Sequence, residues 1–123
     1  MSAFRTHLVE IDGRSLTDWD EFHSVFAEKF GFPDYYGRNM NAWYDCFRSL
    51  PDESTVLDLA EGDVVRFGVT HFQELGSRQP ELAEAIIEGT ATLNLLLKQA
   101  RQVRASGGVQ YPILGAVALS LSE

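Results

Sequence analysis

The sequence predicts a small α/β layer fold, with three parallel strands packed against helices in a single domain. Three observations carry that reading. Short apolar segments alternate with helical patterns, the length of 123 residues suits one domain, and the last apolar segment is hydrophobic at nearly every position. Strands separated by helices become parallel neighbours through right-handed crossovers. A hydrophobic fraction of 45% gives such a chain a substantial core without metal or disulfide staples.

Residues 7–11 read as the first strand, ended by the turn pair Asp12-Gly13. Thr17 is the expected N-cap of the first helix. Asp18, Asp20 and Glu21 then fall in its first turn, where acids favour the positive end of the dipole. Trp19, Phe22, Phe26 and Phe30, with Val25 beside them, form its core stripe, and Gly31 and Pro33 end it. His23 lies on the exposed or flanking side. Residues 32–37 are a loop with two adjacent tyrosines.

A second helix is expected over about residues 38–50, stopped by Pro51. Met40, Trp43, Cys46, Phe47 and Leu50 share its inner side, Asn41, Asp45 and Arg48 its outer side, and Tyr44 the border. Residues 54–59 resemble the second strand, and residues 60–63 a turn. Residues 64–76 fit no single period. Pro80 opens a helix reaching Ile87, and a separate helix spans about residues 92–105, closed by Ser106, Gly107 and Gly108. Residues 112–119 read as a strand buried on both faces.

Charge narrows the classes of function. The net charge of −8 argues against a nucleic-acid ligand, which needs clustered Lys and Arg. It is also unevenly spread. Residues 7–63 hold thirteen acids against four bases, whereas residues 64–123 hold five of each. One half is therefore an anionic surface suited to a basic partner. Nothing approaches a transmembrane span, no membrane partner is expected, and the N-terminus resembles no signal peptide. The single cysteine, Cys46, fits a reducing compartment, so the expected location is cytoplasmic.

Catalytic chemistry finds little material. His7, His23 and His71 have no metal-ligand spacing, and one cysteine excludes thiolate zinc sites. Cys46 sits on the buried side of its helix, unlike a reactive thiol. The glycines match neither phosphate-binding fingerprint. No cofactor and no enzymatic activity are expected.

The segment 32–46, FPDYYGRNMNAWYDC, stands out. It joins a Tyr-rich loop, a glycine before a helix and a polar helix face, so Tyr35, Tyr36, Asn41, Tyr44 and Asp45 form one candidate binding patch. Its Pro33, Tyr35-Tyr36-Gly37, Asn39, Ala42, Asp45 and Cys46 match, in register and without a gap, a motif of the barstar family of ribonuclease inhibitors. This segment resembles that family, and the likeness extends upstream through Ile11, Gly13 and His23. It is close over residues 9–46, fades after residue 59, and resumes faintly near Ser106-Gly107 and the final strand.

The resemblance implies a barstar-like sheet of three parallel strands against helices. It further implies an intracellular inhibitor, or immunity protein, that occludes the cationic active site of a cognate ribonuclease or nuclease toxin in a 1:1 complex. By the same likeness Asp45 is the carboxylate that meets the nuclease's arginines and catalytic histidine. Tyr35 packs against that histidine, Gly37 allows close approach, and Tyr44 stands where the family has a tryptophan. The departures are Asn41 in place of an aspartate, Arg48 one turn beyond Asp45 and able to pair with it, and Arg38 in place of an acid. The distal acidic contact aligns with Asn94. These departures predict weak inhibition of barnase itself and a different cognate nuclease. The competing reading is a barstar-fold regulatory or assembly module with a non-nuclease partner. The segment at about residues 60–89, which does not align and reads as an insertion, would supply its surface.

Overall fold

The computed structural model describes residues 4–107 and 112–123. Strand β1 (Thr6–Asp12) leads through a 3-10 turn (Gly13–Ser15) into helix α1 (Trp19–Phe30). Helices α2 (Met40–Arg48) and α3 (Leu50–Glu53) follow, then strand β2 (Val64–Thr70). Helices α4 (Phe72–Arg78) and α5 (Pro80–Ala105) precede strand β3 (Ala116–Leu121). The strands form one parallel sheet in the order β1-β2-β3. The expected fold class is the observed one, but the sheet is built from different residues than the sequence suggested.

Its central strand comes from the stretch whose period was obscure. Val65, Phe67 and Val69 alternate inward and are fully buried, while Arg66 points to solvent. Val64 before them and Phe72, already in α4, blur the alternation when the segment is read as a line of letters. Residues 54–59, the expected second strand, pair with no strand. Their polar groups are committed to the end of α1. Ser54 Oγ donates to the carbonyl of Phe30 at 2.7 Å, and the Thr55 amide donates to that of Gly31 at 3.0 Å. Gly31 caps α1 at φ +69°, and a Cβ there would lie 2.7 Å from the amide nitrogens of Thr55 and Val56. Only glycine permits both the left-handed turn and that approach.

The register aligns Val9 with Phe67 and Leu119, and Ile11 with Val69 and Leu121. Val9, Ile11, Val65, Phe67, Val69 and Val117 make the buried face. The other face is open, with Leu8 62% exposed. The expectation that the last strand is buried on both sides is therefore corrected. Its outward Ala116, Ala118 and Ser120 are only partly covered, and these small side chains, beside Gly68 on β2, lose little by meeting water.

Helix α5 is one helix of 26 residues where the sequence suggested two. Gly89, between the two expected helices, lies where α2 crosses. A Cβ there would come within 3.2 Å of Trp43 Cζ3 and 3.3 Å of Met40 Cε. The missing side chain costs about 1 kcal/mol of helix propensity and admits the wholly buried indole of Trp43. Rings then tie the layers together. Phe26 lies 5.8 Å from Phe67, Phe30 4.8 Å from Phe47, and Trp43 4.6 Å from Phe47, centroid to centroid.

Smaller boundaries also shift. Asp18, not Thr17, caps α1, its carboxylate accepting from the Glu21 amide at 2.8 Å. Pro51 opens α3 rather than stopping the chain, in the first turn where its missing N–H costs nothing. The segment 60–89 holds β2, α4 and the start of α5. Gly108, expected to help close the last helix, lies outside the described residues.

One buried charge ties β1 to the turn before β2. Asp63 is fully buried and accepts from the amides of Arg5 at 2.9 Å and Ala60 at 3.0 Å. His7 Nε2 also lies 3.0 Å from its Oδ2, and the Arg5 guanidinium 3.4 Å. Burial would push its carboxyl up. The amides of Ala60 and Arg5, with His7 and the Arg5 charge, hold it well below the usual range instead.

Candidate functional site

The loop between α1 and α2 is fixed from beneath. Tyr36 points inward, its ring 4.9 Å from that of Phe32, and its hydroxyl shares a 2.5 Å hydrogen bond with His23 Nδ1. His23, expected on an exposed or flanking side, is only 5% exposed. The correction has a simple cause: the loop folds back over α1 and covers it. Burial lowers the His23 pKa, the nearby Arg38 charge lowers it further, and burial raises that of the Tyr36 phenol.

Tyr35 lies in the turn closed by the Tyr36 amide donating to the Pro33 carbonyl at 3.0 Å, and its side chain turns out while that of Tyr36 turns in. Tyr35 is 72% exposed, and its hydroxyl donates to Glu53 Oε2. That bond to a carboxylate pushes the phenol up to about 12. Arg38 occupies the left-handed region at φ 56°, which a side chain other than glycine adopts at a cost. Its guanidinium secures the conformation by donating to the Asp20 carbonyl and carboxylate, each at 2.7 Å, and to Ser24 Oγ at 3.0 Å. Asn39 caps α2, accepting from the Ala42 amide at 2.8 Å. Gly37 lies against the first turn, where a Cβ would meet that of Ala42 at 3.3 Å.

On α2, Asn41 and Asp45 face solvent and Tyr44 is half-buried. Arg48 Nη2 donates to Asp45 Oδ1, the i, i+3 pair that the spacing allowed. Beneath lies Cys46, whose thiol is pushed up to about 11 by burial and then by the Glu53 and Asp45 carboxylates. Tyr35, Glu53, Asp45 and Arg48 thus gather around the buried thiol of Cys46. Tyr44 stands on the other flank, toward α5. Asn94 does not join them. Its amide group pairs with the edge of β3, donating to the Val117 carbonyl at 2.8 Å and accepting from the Val117 amide at 2.9 Å. That role follows from an open strand edge that needs partners.

The fold supplies acids that sequence reasoning missed. Glu81, Glu84 and Glu88 line a groove of about 320 Å³ together with Tyr44, Met40 and Trp19. It adjoins a hollow of about 490 Å³ lined by Trp19, Met40, His23, Arg38, Asn39 and Asp20. The i, i+3, i+7 spacing of the three glutamates was legible, but nothing local says that α5 runs beside α2.

Several acids of the anionic half are neutralised within the chain. Asp12 pairs with Arg14, Asp20 with Arg38, Glu61 with Arg104, and Asp63 with Arg5. Among the described residues, no group of three His, Cys, Asp or Glu is placed to hold a metal ion. No described helix is long and apolar enough to cross a membrane.

The family model described as "Barstar (barnase inhibitor)" matches residues 6–107. A curated relative from Bacillus subtilis (strain 168), named "Putative ribonuclease inhibitor YrdF", is 35% identical over 83 residues. The match covers 68% of this chain and 85% of that protein.

Proposed function

The chain belongs to the barstar family, and we propose from that premise that it inhibits a cognate microbial ribonuclease or nuclease toxin. It does so as a cytoplasmic immunity protein, in a 1:1 complex and without catalysis of its own. One observation carries the reading. An exposed tyrosine, Tyr35, and an exposed carboxylate, Asp45, stand on a loop and helix held from below by His23–Tyr36, Arg38–Asp20 and Asn39–Ala42. A surface fixed before binding loses little entropy on binding.

The chemistry follows from what a ribonuclease must do. Its cleft holds phosphates and is therefore cationic, so carboxylates at phosphate-like positions compete for the same guanidinium groups. Asp45 takes the central place, and Tyr35 offers a flat, rigid face for packing against the imidazole or arginines of the cleft. Tyr44 and the row Glu81, Glu84 and Glu88 extend the contact along the groove, the part that the sequence alignment assigned to Asn94. The anionic half steers the encounter, which makes association fast and sensitive to salt. The regulatory-module alternative drew its support from residues 60–89 as an added surface. Those residues hold β2, α4 and the start of α5, elements of the fold itself, which favours the inhibitor reading.

The test is titration of a panel of purified basic microbial ribonucleases, with activity and calorimetry as readouts. Stoichiometric loss of activity is expected. Asp45→Ala, with an unchanged circular dichroism spectrum, should lose at least ~100-fold in affinity, since it leaves guanidinium groups buried without a partner. Full affinity in that variant would dispose of the role of Asp45. Capture of a different stoichiometric partner with no nuclease would dispose of the function.

A further inference from the structure

Helix α5 carries a second apolar line that its own core does not use. Ile87 is 47% exposed and Leu95 55%, both far more than the buried Ile86, Leu93 and Leu97 beside them. Taking about 100° per residue, Glu84, Ile87, Ala91, Leu95 and Lys98 lie within ~40° of one another's common axis through Ala91. All five are exposed. The order along this line is acid, apolar, small, apolar, base. Read backwards it is its own complement.

Two such helices laid antiparallel about a two-fold axis at Ala91 bring Ile87 of one onto Leu95 of the other. Ala91 meets Ala91, where small side chains let the helices approach closely. Glu84 meets Lys98 at each end. Neither Glu84 nor Lys98 takes part in an ion pair among the described residues, so both are available for one between chains. The electrostatics outside the line agree. Two chains of net charge −8 repel most through residues 7–63, whereas residues 64–123, which include α5, are balanced.

We propose that the outward line of α5 is a self-association surface whose occupant is a second copy of this chain, docked antiparallel through Ile87, Ala91 and Leu95 and clamped by Glu84–Lys98 pairs. A two-fold contact of this kind is closed, so it yields a dimer and not a filament. The line from Glu84 to Lys98 is only ~21 Å long at 1.5 Å per residue. An interface built on it belongs among the small ones, so the dimer is weak and forms with rising concentration. Glu84 also lines the groove beside Tyr44, so a second copy and a cationic partner draw on the same carboxylate. The dimer itself does not depend on the inhibitor reading, and its test contains no nuclease.

That test is sedimentation velocity in low salt, from ~10 µM to ~1 mM, the range expected of a small interface. A monomer–dimer equilibrium is the expected result for the unmodified protein. Leu95→Glu should leave only monomer, while Val103→Glu, equally exposed but off the line, should dimerise as before. Glu84→Lys and Lys98→Glu should each weaken the dimer by about fivefold, and the two together should restore it, because the exchanged charges again face each other. A monomer throughout the range, a dimer indifferent to Leu95→Glu, or a double swap no better than its single parents would each overturn the proposal.

Discussion

The guanidinium of Arg48 holds the carboxylate of Asp45, one turn earlier on the same exposed face of α2. The carboxylate proposed to meet a nuclease's arginine is therefore already paired with an arginine of its own chain. A cationic cleft must displace Arg48 or accommodate it. Exposed pairs of this kind are worth only about 0.2–1 kcal/mol, so displacement is easy.

Arg48→Gln should accordingly bind the cognate nuclease more tightly, by about two- to fivefold, the same energy expressed as affinity. Association should also be faster, because the approaching cation no longer meets a like charge. Stopped-flow association rates at two salt concentrations would measure both effects. Slower association by Arg48→Gln would mean that Arg48 contacts the nuclease directly.

Barnase should be a poor target. Asn41 stands where the family resemblance places an aspartate, and Arg48 and Arg38 add positive charge near the contact. A desolvated charge left without its partner costs about 3–5 kcal/mol. A titration of barnase activity should need at least ~100-fold more of this protein than of a cognate pair. Asn41→Asp should recover part of the difference.

Asp63 links pH to stability. Its folded pKa lies below the unfolded value, so the native state releases that proton more readily than the unfolded chain. Its contribution is fully present above about pH 4, near the unfolded carboxylate value, and is lost as pH falls through the folded pKa. Asp63→Ala should destabilise the protein at pH 7 by about 3 kcal/mol, since it strands buried N–H donors. The gap between variant and parent in urea unfolding should narrow on acidification. A gap that stays constant down to pH 2 would show that the charge plays no part.

Cys46 should be inert in the native state. Its thiol is buried and pushed up to about 11, so almost no thiolate exists at pH 8. A disulfide reagent such as DTNB should label it only as fast as the protein opens, and at once in urea. Rapid native labelling would contradict the packing of α2 against the loop.

The loop and α2 were readable from the letters because their cues are local. A proline and a glycine bound the loop, and the inner positions Trp43, Cys46 and Phe47 repeat at helical spacing. Asp45 could be placed outward from that register, and Tyr35 was named from the tyrosine-rich loop and the family motif; both are exposed. Tyr36 and His23 could not be joined in this way, since their contact depends on the loop folding back onto α1. The pairing of Asn94 with Val117 is similar: it depends on a strand edge placed beside the helix, which no local pattern shows.

The sequence by itself determined the fold class and the first two helices, because apolar periodicity acts over a few residues, and its motif singled out the candidate tyrosine–aspartate patch. The tertiary structure decided which segment became the central strand, why Gly89 continues a helix instead of ending it, and which acids stand beside Tyr44. Those outcomes rest on contacts between distant parts of the chain. Residues 54–59 have the composition of a strand, yet their hydrogen bonds go to the end of α1, while residues 64–70 find β1 and β3 on either side. Strand identity is set by which partners are within reach, and no local pattern records that.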